Sequence, residues 1–287
     1  MERELWEQLY AIAVPLDRFW TNGFYRTWEI VVVYLWAVVH DRPTSWACES
    51  RNWGSAQPRH GLPSQSTMSR RMRTAAVEQL LAAVEAELGG DSRRWWLQRV
   101  DSKPLPVGMH SRDPDARYGR AAGGFAKGYK LHAIWGGGRV PSRWHIEPMN
   151  VGDSPAARRM IRDLPGQGYV VGDSQFDSNP LHAAAWPAHQ VIAPQQRPGK
   201  ALGHCAHHPA RLHCLELIAK PFGQALLRWR AQIERDFGGL TNFAAGLSPL
   251  PNWVRRLHRV HLWVQAKLLI NAIRLLEIHP QPTTAPA

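Results

Sequence analysis

The stretch Trp95-Trp96-Leu97-Gln98-Arg99-Val100-Asp101-Ser102-Lys103-Pro104-Leu105-Pro106-Val107 decides how the chain is read. A short apolar run leads into Asp101, and Pro104 and Pro106 follow it. This predicts a β-strand whose last ordered residues include a carboxylate. Such an acid has a fixed backbone beneath it and open space above it, which metal binding requires. Two partners follow. Asp173 ends a second apolar run, Gly168-Tyr169-Val170-Val171-Gly172-Asp173, and Glu234 lies in an amphipathic helical pattern from Ala225 to Phe237. They come 72 and then 61 residues further on, enough chain to bring three separate elements together in one domain.

Composition narrows the class. A chain of 287 residues with 44% hydrophobic content and 14 Trp can bury a sizeable core and does not read as disordered. The longest apolar run, Ile30 to Val39, is too short to span a bilayer, and the first 20 residues carry acids where a signal peptide would be apolar. A soluble, cytoplasmic protein is expected. Cys48, Cys205 and Cys214 form no CxxC pair and no disulfide framework. The net charge of +12 favours a polyanionic partner, most simply nucleic acid, although an Arg-rich but unspecialised protein would share it.

Along the chain, residues 1–90 read as all-helical: Glu2 to Val14, Trp28 to Val39, a short piece around Trp46 to Arg51, and a long helix from a Ser64 or Ser66 cap to about Leu88. The first turns of that last helix carry Ser66, Thr67, Ser69, Arg70, Arg71 and Arg73, as a DNA-reading helix in a helix-turn-helix would. A solvated basic face is the plainer alternative. Gly89-Gly90-Asp91-Ser92 marks a boundary. Beyond it come strands at Leu97–Val100, Tyr129–Trp135 and Arg143–Glu147, with a flexible basic loop (Arg112, Arg117, Arg120, Lys127) between the first two. A helix from Asp153, a strand at 169–173, a helix from about Asn179 and a strand at 189–193 follow. Pro194 to His213 shows no apolar period, Phe222 to Phe237 reads as one helix, and Trp253 to Ile278 as another. The order gives an α/β domain over 91–278 and a disordered tail over 279–287.

Two Asp and one Glu suit hard cations. Their oxygens bind Mg²⁺ or Mn²⁺, and two such ions clamp a phosphodiester for in-line displacement. Each acid also has a bland reading: Asp101 as a turn residue, Asp173 as a cap, Glu234 as a partner of Arg230. The strings "VDSKPLPVG", "GYKLHAI", "GDSQFDS" and "RAQIERDFGGL" resemble the motif blocks of bacterial insertion-sequence transposases of the DDE class, the insertion-sequence-four and -five type. The likeness covers about residues 95–275. It implies an RNase H-like catalytic core, with a mixed five-stranded sheet flanked by helices, and catalytic, metal-holding roles for Asp101, Asp173 and Glu234. It further implies two Mg²⁺ (or Mn²⁺) ions, cleavage and strand transfer of double-stranded DNA at terminal inverted repeats, and a homodimer on DNA. No membrane partner is expected, and action at the nucleoid is. Arg230, Lys130, Lys103, Arg112 and Lys127 are the expected DNA contacts of the core, and Arg70, Arg71 and Arg73 those of the N-terminal region.

The chain departs from the family pattern where Leu227 stands for Tyr and Thr241 for Lys around the Glu block, and where Ser174-Gln175-Phe176 stands for Lys-Gly-Tyr. These changes remove DNA contacts and no metal ligand. Asp153 reads as a helix cap and Asp177 as support for the turn at Asp173 and a cap of the helix after it. The cluster His204-Cys205, His207-His208, His213-Cys214 has zinc-binding atom types, but its spacing fits no common zinc site. A metal-dependent nuclease, a silent DNA-binding relative, or a helix-turn-helix regulator are the competing readings.

Overall fold

In the computed structural model the described residues are 1–18, 23–54, 61–121, 123–202, 206–247 and 249–278. They form two compact units. The first holds Met1–Gly90, Leu240–Trp253 and the chain from Leu262 on; the second holds Asp91–Gly239 and Val254–His261. The expected tail lies outside the described residues. No described helix is long and apolar enough to cross a membrane.

The first unit is helical: α1 (Glu2–Leu16), α2 (Thr27–Val39), α3 (Thr44–Ala47), α4 (Gln65–Arg71), α5 (Ala75–Gly89) and most of α11 (Leu257–Ile278). In α2 every residue but Trp28 is buried, so it is the central helix, apolar all round. Trp36 of α2 packs with Trp6 and Trp53, and the indole N–H groups of Trp6, Trp36 and Trp53 are bonded to the carbonyls of Val32, Asn52 and Ala47, at 2.8, 3.1 and 2.7 Å. Lys267 of α11 is buried, yet fully satisfied by Val38 O (3.0 Å), Asp41 Oδ1 (2.7 Å) and Ala245 O (2.9 Å).

The long helix expected from Ser64 to Leu88 is two helices. Thr74 is extended (φ −91°, ψ 145°) and its hydroxyl bonds Arg71 O at 2.7 Å, which ends α4 and starts α5. Arg71 turns inward to Tyr25 O at 2.9 Å, whereas Arg70 and Arg73 are exposed.

The second unit carries one mixed sheet. Its strands are β1 (Leu97–Pro106), β2 (Arg117–Ala121), β3 (Gly124–Trp135), β4 (Arg143–Pro148), β5 (Gly168–Val171) and β6 (His189–Ile192). β4-β3-β1 run antiparallel, and β1-β5-β6 parallel. Six strands replace the expected five. The sixth, β2, pairs with Gly124–Gly128 of β3, so the supposed basic loop is in part a hairpin. One face of the sheet is covered by α6 (Asp153–Arg162) and α7 (Asn179–Ala185), around Val100, Ile134, Met160, Val170, Leu181 and Val191. The other is covered by α8 (Pro209–Ile218) and α9 (Pro221–Arg228), around Val171, Ile192, Cys214 and Leu226. Burying each such side chain is worth about 1.5–3 kcal/mol.

Three further expectations change here. α8 appears where no period was read; His208 caps it and Pro209 opens it. The helix expected over 222–237 breaks at Trp229-Arg230 into α9 and α10 (Ala231–Thr241). β1 runs through both prolines instead of stopping before them. Val107 N–H bonds Lys127 O at 2.8 Å, so by alternation the nitrogens of Pro104 and Pro106 face away from β3. That edge is free of β5, whose pairing covers only Leu97–Arg99, so no ladder bond is lost.

Candidate active site

Asp101 therefore sits within β1, two residues past the point where β5 parts from it. Parallel pairing sets Arg99 beside Val171. Two residues further along each chain come Asp101 and Asp173, in step across the fork. Alternation puts Asp101 on the face of Arg99, whose Nη2 lies 3.1 Å from Asp236 Oδ2 of α10. Trp135, also on that face, meets Phe237 of α10 edge-on, with ring centroids 5.8 Å apart. The fork thus opens on the side of the sheet that α10 covers.

Each of the two acids is held by one oxygen. Asp101 Oδ1 accepts the N–H of Ser102 at 2.7 Å, and Asp173 Oδ1 accepts the N–H of Gln175 at 2.8 Å, capping a short 3₁₀ turn. The other oxygen of each carboxylate has no partner among the described residues. Burial pushes the Asp101 carboxyl up to about 6; the Ser102 N–H opposes the rise, the charges of Asp173 and Asp153 add to it, and Arg230 lowers it. Asp101, Asp173, Asp153 and Arg230 are therefore electrostatic neighbours. Two hard oxygens free of hydrogen bonds, on acids that repel one another, form a donor set suited to a divalent cation. Glu234 is exposed on α10, four residues beyond Arg230, and no ion pair joins the two. Among the described residues no group of three acid, His or Cys side chains is gathered tightly enough to hold a metal ion.

The remaining expected residues divide by environment. Lys103 lies two residues past Asp101 on the same face, half-buried, its ammonium pKa lowered by burial. Lys130 is buried, with Nζ 3.1 Å from Asp153 Oδ1 and 3.4 Å from Val151 O. Arg112 is exposed, and Lys127 bonds Ser111 O at 2.6 Å.

Two acids read as caps do other work. Asp153 makes no side-chain cap; Gly152 occupies the N-cap of α6. Instead Asp153 Oδ1 gathers Ser102 Oγ (2.8 Å), Lys130 Nζ (3.1 Å) and His132 Nδ1 (3.5 Å) on the α6 face. Burial lowers the His132 pKa to about 4, so the ring is neutral. Asp177 does not cap α7, whose N-cap is Ser178. Its buried carboxylate takes a two-pronged contact from Arg211 of α8 (Nε–Oδ1 2.7 Å, Nη2–Oδ2 2.8 Å) and the N–H of Gln196 at 3.1 Å. Burial raises its pKa, but the Arg211 and Gln196 bonds outweigh that and leave it lowered. The Asp153 grouping depends on Ser102 lying opposite His132, a register no sequence pattern declares. Of the His/Cys cluster, His204 and Cys205 lie outside the described residues, and Cys214 is buried against Ala193.

A family model described as a transposase DDE domain matches residues 97–269, from the first residue of β1 into α11. The chain belongs to the DDE transposase family. Members cut and transfer DNA and generally use divalent metals, so DNA is the partner this membership implies. No curated protein and no solved structure matches the chain.

Proposed function

We propose that this DDE transposase cuts DNA at the ends of its own mobile element and joins the freed ends to target DNA, with Asp101, Asp173 and Glu234 as its catalytic acids. The observation that carries the reading is the fork between β1 and β5, which sets Asp101 and Asp173 in step, each with one free oxygen. Arg230 supports the third assignment. Its charge reaches Asp101, and Glu234 follows four residues later, in the first turn of α10. A mixed sheet covered on both faces by helices supports an RNase H-like core.

In this reading Asp101, Asp173 and Glu234 would hold two Mg²⁺ (or Mn²⁺) ions, which would supply Lewis acidity for phosphodiester displacement. Water forms a new bond to phosphorus as the bond to the 3′ oxygen breaks, leaving a 3′-OH. That hydroxyl then displaces a 3′ oxygen of the target, so one phosphodiester replaces another. Arg230 offers its charge to the reacting phosphate, and Lys103 stands beside it on the Asp101 face. Lys130 serves indirectly, holding Asp153 away from the site. Arg70 and Arg73 contact element ends from the helical unit, Arg112 and Lys127 from the sheet unit, and the working form is a homodimer bridging two ends. The test is an end-cleavage and strand-transfer assay. Asp101→Asn, Asp173→Asn and Glu234→Gln each abolish Mg²⁺-dependent cutting and leave DNA binding within about 2-fold, since charge is removed at constant shape. Full cutting by any one of them takes that residue out of the site, and cutting without joining makes the chain a nuclease.

A further inference from the structure

The β2–β3 hairpin presents an unusual face. Tyr118 lies opposite Lys127, and Arg120 opposite Phe125, so these four side chains share one side. Tyr118 is 58% exposed and Phe125 78%, and neither ring has an aromatic neighbour among the described residues. Arg120 and Arg112 are exposed and have no polar partner among the described residues. Apart from Arg117 at its base, the opposite side is made of small residues: Gly119, Ala121, Gly124, Ala126 and Gly128. A Cβ on Gly119 would lie 2.2 Å from Met149 O, so the hairpin is pressed against the end of β4 and is a fixed platform. Gly123 and Gly124, at φ +85° and +137°, turn the chain between the strands.

Charge along the hairpin has one sign. No acid lies between Asp115 and Glu147, while Arg117, Arg120 and Lys127 fall within that span. The two nearest acids are already engaged: Asp113 Oδ2 accepts Arg256 N–H and Tyr129 O–H at 3.0 and 2.7 Å, and Asp115 Oδ2 accepts Leu257 N–H at 3.0 Å. Exposed aromatics interleaved with unpaired cations suit one ligand chemistry, a polyanion with flat apolar faces to stack on. Duplex DNA hides those faces; unpaired bases offer them.

We propose that this hairpin is a stacking platform for unpaired DNA bases, with Phe125 and Tyr118 against the bases and Arg120, Arg112 and Lys127 along the backbone. The proposal rests on the reading of the chain as a DNA-cutting enzyme and adds which form of DNA it grips. Phe125 is eight residues along β3 from Ala133, the register partner of Asp101, so it stands roughly 25 Å away along the strand. It therefore engages DNA flanking the cut and not the reacting phosphate.

The test uses the full chain in EDTA, so that binding is measured without chemistry. The probes are a fluorescent single-stranded oligonucleotide and the fully paired duplex of the same sequence. Phe125→Ala and Tyr118→Ala should each weaken single-strand binding by about 5- to 100-fold and change duplex binding by less than about 2-fold, with Phe125→Trp restoring the wild-type value. Arg120→Ala should weaken both and lower the salt slope by about 0.7–0.9. Thermal melts confirm that the variants fold. Single-strand affinity unchanged in both aromatic variants overturns the proposal. So does a Phe125→Ala chain that binds DNA normally but sediments as a monomer where wild type is a dimer, since the face would then join two copies of this chain. End cutting in Mg²⁺ is scored separately. Normal cutting with no aromatic effect on binding sinks the platform and leaves the proposed function standing. Absent cutting with the aromatic effect intact does the reverse.

Discussion

Asp177→Ala separates a structural acid from the acid proposed as catalytic, four residues before it. As a helix cap, Asp177 would be worth about 1 kcal/mol. In the structure its side chain is 1% exposed and that of Arg211 13%. The substitution removes two charge-assisted bonds worth about 1.5–3 kcal/mol each and one to the Gln196 N–H, and it strands a guanidinium away from its carboxylate. Water entering the vacated space returns part of this, so the expected loss is about 3–5 kcal/mol. That is a fall of roughly 6–20 °C in melting temperature at this domain size. The pH dependence has a definite sign. The folded pKa of Asp177 is lowered, so its contribution is present above the unfolded value near 3.8 and fades as acid protonates the carboxylate. Wild type and variant therefore converge below about pH 4. The assay is a melt series without metal on Asp177→Ala, Arg211→Leu and the double variant. The double variant should lose less than the sum of the singles, because it leaves no unpaired charge. A loss of 1 kcal/mol or less for Asp177→Ala, or strict additivity, refutes the account.

Two other outcomes follow from the same reasoning. Asp101→Asn, although inactive, should be more stable than wild type in EDTA by about 1–3 kcal/mol above pH 6, with the gain vanishing below about pH 4; its folded pKa is raised to about 6, so wild type loses stability as pH rises through that window, and melts across pH check it. Arg70→Ala and Arg73→Ala should each weaken end binding and lower the salt slope by about one, while Arg71→Ala should instead lower melting temperature, because Arg71 is tied to Tyr25 O.

The α/β class was readable because short stretches such as Tyr169–Val171 and Val191–Ala193 are apolar and alternate with helical patterns, and both Asp of the fork come at the end of such a stretch, after Val100 and after Val171-Gly172. What escaped reading has specific causes. The break between α9 and α10 leaves no trace, since Leu226, Ile233 and Phe237 keep helical phase straight across it. The break at Thr74 is likewise hidden, because Met68, Met72, Leu80 and Val84 continue at spacing four through it. β2 looked like loop because its outward residues are Tyr118 and Arg120 and its inward one is Gly119, so no apolar alternation exists to be seen. Asp153 and Asp177 were read from neighbours in sequence, whereas their partners, Lys130 and Arg211, come from other elements. Local reading found the acids and could not rank their partners.

The start of α11 has a consequence for the order in which the protein is made. The N–H of Leu257, its first residue, and that of Arg256 just before it are bonded by Asp115 and Asp113, more than 140 residues earlier in the chain. At a synthesis rate of about 5–20 residues per second, those acids leave the ribosome roughly 7–30 s before the groups they serve. Through that interval Asp113 can bond Tyr129, but Asp115 waits for a helix that does not yet exist. The sheet unit is therefore completed from the far end of the chain, and a nascent chain stalled before residue 257 carries a finished hairpin beside an unfinished anchor.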